Sequence, residues 1–103
     1  MSKSRDLIPK TIAQFIPALG SQESVADPLV RCKLFHPCSN WTWFVIEYEP
    51  AERMCFGLVH GLEEELGYFS LDELEGLNVL ALGVERDLYW TPRPLSQCWR
   101  QRR

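Results

Sequence analysis

The chain has 103 residues, a net charge of −3 and a composition of 46% apolar and 24% charged residues. That length predicts one domain, 1–103, with residues 1–6 and about 96–103 flexible. No run of 18 apolar residues exists and the apolar stretch near the start is too short for a signal-peptide core, so no membrane partner is expected and the expected compartment is the cytoplasm.

In the cytoplasm Cys32, Cys38, Cys55 and Cys98 are free thiols by default, and no Cys-x-x-Cys pair occurs. Charge is unevenly spread. Residues 1–40 carry five basic and three acidic side chains, residues 41–80 carry nine acidic side chains and only Arg53, and residues 81–103 carry five basic and two acidic ones. The middle is acidic and both ends are mildly basic.

Taken in chain order, residues 7–19 predict a short helix. Leu7, Ile8, Ile12, Phe15, Ile16 and Leu19 fall near a 3.6-residue period, Pro9 suits the first turn, and Pro17 and Gly20 end it. Residues 21–28 read as a loop. Residues 29–36 alternate, with Val30, Cys32 and Leu34 on one side, as in a half-buried strand. Residues 41–49 form the clearest strand, rich in aromatic and β-branched side chains. Strict alternation puts Thr42, Phe44, Ile46 and Tyr48 on one face, and Trp41, Trp43, Val45, Glu47 and Glu49 on the other. A turn around Pro50 leads to a strand at 54–60, and a polar connection leads to a short strand at 66–69. Ser70, with Glu73 three residues on, marks the N-cap of a helix holding Leu71, Leu74 and Leu77. Residues 87–90 read as a last strand or an extended arm, and residues 95–103 as a short basic helix or a free tail. The fold class is α+β, a small antiparallel sheet of about four strands with two or three short helices.

Several segments also carry a resemblance. Lys33-Leu34-Phe35 and Pro37 lead to Trp41-Thr42-Trp43; Phe56-Gly57-Leu58, the stretch 65–75, and Glu85-Arg86-Asp87-Leu88 before Tyr89-Trp90 follow in order. Together they resemble an uncharacterised family of small bacterial proteins, a domain of unknown function often found on plasmids and other mobile elements. The resemblance spans about residues 28–95. It implies no catalytic residues and no cofactor, and its members do not generally carry cysteines at the positions of Cys32 and Cys38, which counts against a shared metal site.

The residue patterns offer little chemistry. Cys32, His36, Cys38, Cys55, His60 and Cys98 are potential zinc ligands, but five residues between Cys32 and Cys38 fit a zinc knuckle poorly, and buried thiols are the simpler reading. Cys55 and His60 fall on opposite faces of one strand, too far apart for a nucleophile and its base. Carboxylate pairs for glycoside hydrolysis can be drawn from the central acids, yet Glu63-Glu64-Glu65 reads as a solvated connection. No enzyme activity, metal or cofactor is therefore expected.

Binding remains. The expected protein-contact surface joins Trp41 and Trp43 to the acids Glu47, Glu49, Glu63, Glu64 and Glu65, and the expected role is a non-catalytic interaction or accessory module for an unidentified protein partner. One alternative is a nucleic-acid-binding accessory protein that uses Lys33, Trp41, Trp43, Arg93, Arg100, Arg102 and Arg103. It is disfavoured by the acidic balance. Another is an acidic inhibitor that imitates DNA. The protein is expected to be a monomer or a homodimer paired through a free strand edge.

Overall fold

The computed structural model describes residues 6–100. In chain order these form α1 (Lys10–Ala13), β1 (Leu29–Val30), β2 (Cys32–Phe35), β3 (Thr42–Glu49), β4 (Met54–His60), β5 (Glu64–Ser70), α2 (Leu71–Gly76), β6 (Asn78–Val79), β7 (Leu82–Gly83), β8 (Glu85–Arg86), β9 (Arg93–Pro94) and a 3₁₀ turn, Leu95–Gln97. The main sheet has five strands in the order β5-β4-β3-β2-β8, with every neighbouring pair antiparallel. The predicted meander is its body. The fifth strand is β8, two residues that pair with Leu34 and Phe35. The extended arm expected at 87–90 is instead a turn, in which the Asp87 side chain accepts from the Tyr89 N–H at 2.9 Å.

The helix expected over 7–19 is one turn long. Pro9 starts it, but Pro17 disfavours a helical conformation at Ile16, and residues 14–16 continue as i→i+3 turns. Its apolar residues are buried all the same: Leu7, Ile8 and Ile16 pack with α2 and Val84 over one face of the sheet. We call this the first face; Cys32, Leu34, Trp43, Val45 and Cys55 point into it. The C-terminal segment covers the second face, where Val30, Phe44, Ile46, Leu58, Leu95 and Cys98 meet. β1 and β9 pair as a small ribbon there, and Trp90 closes one side by donating its indole N–H to the Val30 carbonyl at 3.0 Å. Asp27 receives both the backbone N–H and the hydroxyl of Ser96, at 2.9 and 2.7 Å, which ties the loop before β1 to the 3₁₀ turn.

A bulge at Ile46 sets the face of every later residue in β3. Val45 pairs with Gly57 and Glu47 with Phe56, so Ile46 has no partner on β4 and the alternation shifts by one. Phe44, Ile46 and Glu47 consequently share the second face, while Tyr48 joins Trp43 and Val45 on the first. This overturns the strict two-residue alternation expected for the strand. Gly57 lets the strands approach at this point, because a Cβ there would collide with the Phe44 carbonyl oxygen.

Ser70 caps α2 as expected, its hydroxyl accepting from the Glu73 N–H at 3.2 Å. Arg53, in a left-handed conformation (φ 54°) in the β3–β4 turn, reaches Glu75 at 2.6 Å and Asp72 at 3.2 Å. Glu75 also accepts the Leu7 N–H at 2.9 Å, so one carboxylate joins the N-terminal segment, the turn and the helix.

Candidate interaction surface

The central acids do not gather on one side. Antiparallel hairpins place successive turns at opposite ends of a sheet, and the seven residues of β4 span about 23 Å. Glu49 and Glu52 lie at the end of the β3–β4 turn, where Glu49 accepts the Ala51 N–H at 3.0 Å. Glu63 and Glu65 lie exposed at the other end, around the β4–β5 turn.

Two of the acids proposed for the surface are structural. Glu47 is only 3% exposed. The bulge turns it to the second face, where its two oxygens accept the backbone N–H groups of Gly20 and Gln22, both at 2.8 Å. It anchors the loop that follows α1. Glu64 points to the same face. Its carboxylate lies 2.9 Å from His60 Nε2 and also accepts the Arg100 backbone N–H. Burial pushes the His60 pKa below its ordinary value of 6.5, and the Arg100 charge adds to this while Glu64 opposes it.

The two tryptophans divide their work. Trp43 is 5% exposed and packs in the core of the first face. Trp41 is 41% exposed, with its ring 6.0 Å from that of Trp43 and tilted by 31°. The Trp41 ring also lies over Gly61, where a Cβ would overlap it. Trp43 and Gly61 thus hold the Trp41 indole against the sheet with one side open.

A cleft of about 540 Å³ begins at Trp41, crosses the β4–β5 turn and reaches the outer edge of β5. Glu63 and Glu65 line it, together with Leu62, Leu66 and Tyr68. Leu62 is 94% exposed, Tyr68 64% and Leu66 45%. Sequence reasoning missed these three apolar residues. Their signal was present: Leu62 stands alone in a turn between Gly61 and three glutamates, and Leu66 and Tyr68 alternate on a strand with no second apolar cover.

Lys33, Trp41 and Arg100, from the nucleic-acid alternative, line a second and more open cleft of about 750 Å³ with Phe35, Phe44 and His60. Its charges are largely balanced. Lys33 lies 3.9 Å from Asp87, and Glu64 sits beside Arg100. Arg93 lies apart, with its guanidinium over the Trp90 ring at 4.1 Å. Arg102 and Arg103 fall outside the described residues.

The thiols and imidazoles are dispersed. Cys32 and Cys55 are buried in the first core and Cys98 in the second, while Cys38 is exposed. Burial raises the thiol pKa of Cys32 and of Cys55 to about 12, which keeps both protonated. His36 is buried; its Nδ1 accepts the Cys38 N–H at 3.1 Å, so Nε2 carries the proton that it donates to the Leu82 carbonyl at 3.0 Å. Among the described residues, no group of three or more His, Cys, Asp or Glu side chains is placed to hold a metal ion. No described helix is long and apolar enough to cross a membrane.

A family model matches nearly the whole chain. The chain belongs to the family described as protein of unknown function DUF2958, matched over residues 7–102. No curated protein and no solved structure matches it. Family membership therefore supports the identity of the domain and assigns no chemistry to Trp41, Glu63, Glu65 or the cleft between them.

Proposed function

We propose that this domain is a non-catalytic protein-interaction module whose contact surface is the cleft at the β4–β5 turn. The observation that carries this reading is Leu62, 94% exposed at the turn, beside an open tryptophan and flanked by exposed Glu63 and Glu65. A clustered apolar surface with a charged rim is the usual composition of a contact site. Trp41 supplies a large, immobilised anchor at low entropic cost, because Trp43 and Gly61 already fix its ring. The two carboxylates favour a partner segment that carries an apolar residue next to lysine or arginine. An accessory role of this kind suits a protein encoded on a plasmid or other mobile element.

A nucleic-acid reading has one observation in its favour, the shared cleft of Lys33, Trp41 and Arg100. The neighbouring Asp87 and Glu64 offset its positive charge, so it stands second.

Affinity capture from lysate of the native host separates the two. The tagged wild type, the double variant Glu63→Lys/Glu65→Lys and the double variant Lys33→Glu/Arg100→Glu are compared with and without nuclease. The proposal expects a protein that survives nuclease, is retained by the Lys33/Arg100 variant and is lost by the Glu63/Glu65 variant. Retention by the Glu63/Glu65 variant, or loss on nuclease treatment, overturns it.

A further inference from the structure

The sheet has one long edge with which no further strand pairs among the described residues. Among the described residues β5 pairs only with β4, whereas the opposite edge is β8, two residues long. The hydrogen-bonding phase of β5 follows from two bonds at its ends. The Leu71 N–H donates to the Arg53 carbonyl at 2.8 Å, and the Gly61 N–H donates to the Glu63 carbonyl at 3.1 Å. Both pairs continue the β4–β5 register, so Glu63, Glu65, Gly67, Phe69 and Leu71 turn their backbone groups toward β4. Glu64, Leu66, Tyr68 and Ser70 turn theirs outward.

We propose that β5 pairs with β5 of a second copy of this chain, antiparallel, about a two-fold axis at Gly67. In that register the outward groups of Leu66 meet those of Tyr68 of the second copy. Outward backbone groups face each other only when even-numbered residues of β5 oppose one another, as they do in this register. The side chains agree. Directly opposed residues share a face, so Leu66 and Tyr68 of both copies join into one apolar patch on the second face, against which Phe56 already packs its ring, 5.0 Å from Tyr68. At the axis the two Cα atoms approach most closely, and Gly67 has no side chain there and open space around it.

The charges disfavour a parallel pairing and the slips that oppose acid to acid. Glu65 falls opposite Phe69, and the two copies of Glu65 stand about 13 Å apart, four residues along the strand. A parallel pairing, or a slip that centres the axis on Glu64 or Glu65, stacks like charges face to face. Exposed strand edges are ordinarily blunted by shortness, proline or lysine; β5 has seven residues and neither proline nor lysine. The pairing goes beyond capture of a basic partner. Trp41, Leu62 and Glu63 lie at the turn, off the outward edge.

The axis is tested by disulfide trapping in purified protein, with no lysate present. In a Cys38→Ser background, Gly67→Cys places the two thiols on the axis, in a non-hydrogen-bonded pair whose Cα separation suits a disulfide. Glu65→Cys places them too far apart. Under mild oxidation Gly67→Cys is expected to move to twice the 12.0 kDa chain mass while Glu65→Cys stays at chain mass. Sedimentation of the unmodified chain should show a concentration-dependent dimer that Leu66→Lys/Tyr68→Lys abolishes. A monomer at every concentration, equal trapping at both positions, or a dimer indifferent to the Leu66/Tyr68 variant overturns the proposal. A failure of trapping leaves the capture comparison standing, because capture reads Glu63 and Glu65. Leu66 and Tyr68, which also line the outer end of the cleft, are varied only here.

Discussion

Replacing Glu47 by alanine tests the reassignment of that residue from surface acid to internal anchor. The carboxylate accepts two backbone N–H groups, from Gly20 and Gln22, at 2.8 Å each, and it is 3% exposed. A hydrogen bond to a charged group contributes roughly 1.5–3 kcal/mol. The two bonds share one side chain and one loop, so they are not additive, and a loss of about 3 kcal/mol is expected. For a domain of this size that lowers Tm by roughly 12–24 °C, which leaves the fold populated at room temperature. The loop keeps a second tie, because the Tyr48 N–H donates to the Pro17 carbonyl at 2.9 Å. Glu47→Gln keeps an acceptor but loses the charge, and should fall between alanine and wild type. Urea unfolding gives the stability, and amide hydrogen exchange at Gly20 and Gln22 shows where it is lost. An exposed acid serves as control: Glu65→Ala should stay within about 0.5 kcal/mol of wild type. A loss under about 0.5 kcal/mol for Glu47→Ala, with exchange at Gly20 and Gln22 unchanged, would refute the anchor role.

Other expectations follow from the same geometry. Gly57→Ala drives a methyl group into the Phe44 carbonyl and should cost about 3 kcal/mol, read by urea unfolding; a loss under about 1 kcal/mol would mean that the strand approach at the bulge is looser than described. His60 has a folded pKa below 6.5, so the unfolded chain takes up the proton first; stability is fully present above about pH 6.5 and declines as the pH falls toward the folded value. Thermal melts from neutral to mildly acidic pH should show this decline, and His60→Asn should flatten it. Cys32 and Cys55 should resist a thiol reagent at mildly alkaline pH in the native state, with Cys38 modified first and the buried thiols only on unfolding; rapid native labelling of Cys32 or Cys55 would contradict their burial.

What the chain discloses locally, it discloses well. Alternation and β-branched or aromatic content mark the strands around residues 32–36, 41–49, 54–60 and 66–69, because side-chain period and backbone geometry are set within each segment. The strand expected from residue 29 instead breaks at Arg31, and Val30 turns to the face opposite Cys32 and Leu34. Ser70 is equally local, since a cap is satisfied by a backbone N–H three residues away. The site was less legible, because it depends on cross-strand registration. Ile46 carries no mark of a bulge; the shift arises where β3 meets Gly57 and Phe56, and it alone moves Glu47 from the expected face to the loop it anchors. The split of the acids between two sheet ends follows from the meander, while Glu64 is withdrawn by partners 4 and 36 residues away. Trp41 remained visible as a candidate, whereas Trp43 was hidden by the N-terminal segment and α2, whose docking no local pattern announces.

The contact surface itself is tested most directly by amide and indole shift mapping of the labelled protein, titrated with the partner recovered by capture. Perturbations are expected to concentrate at the Trp41 indole N–H and at the amides of Leu62, Glu63 and Glu65. Perturbations concentrated instead at Lys33, His60 and Arg100 would contradict it and move the binding site to the opposite face of the sheet.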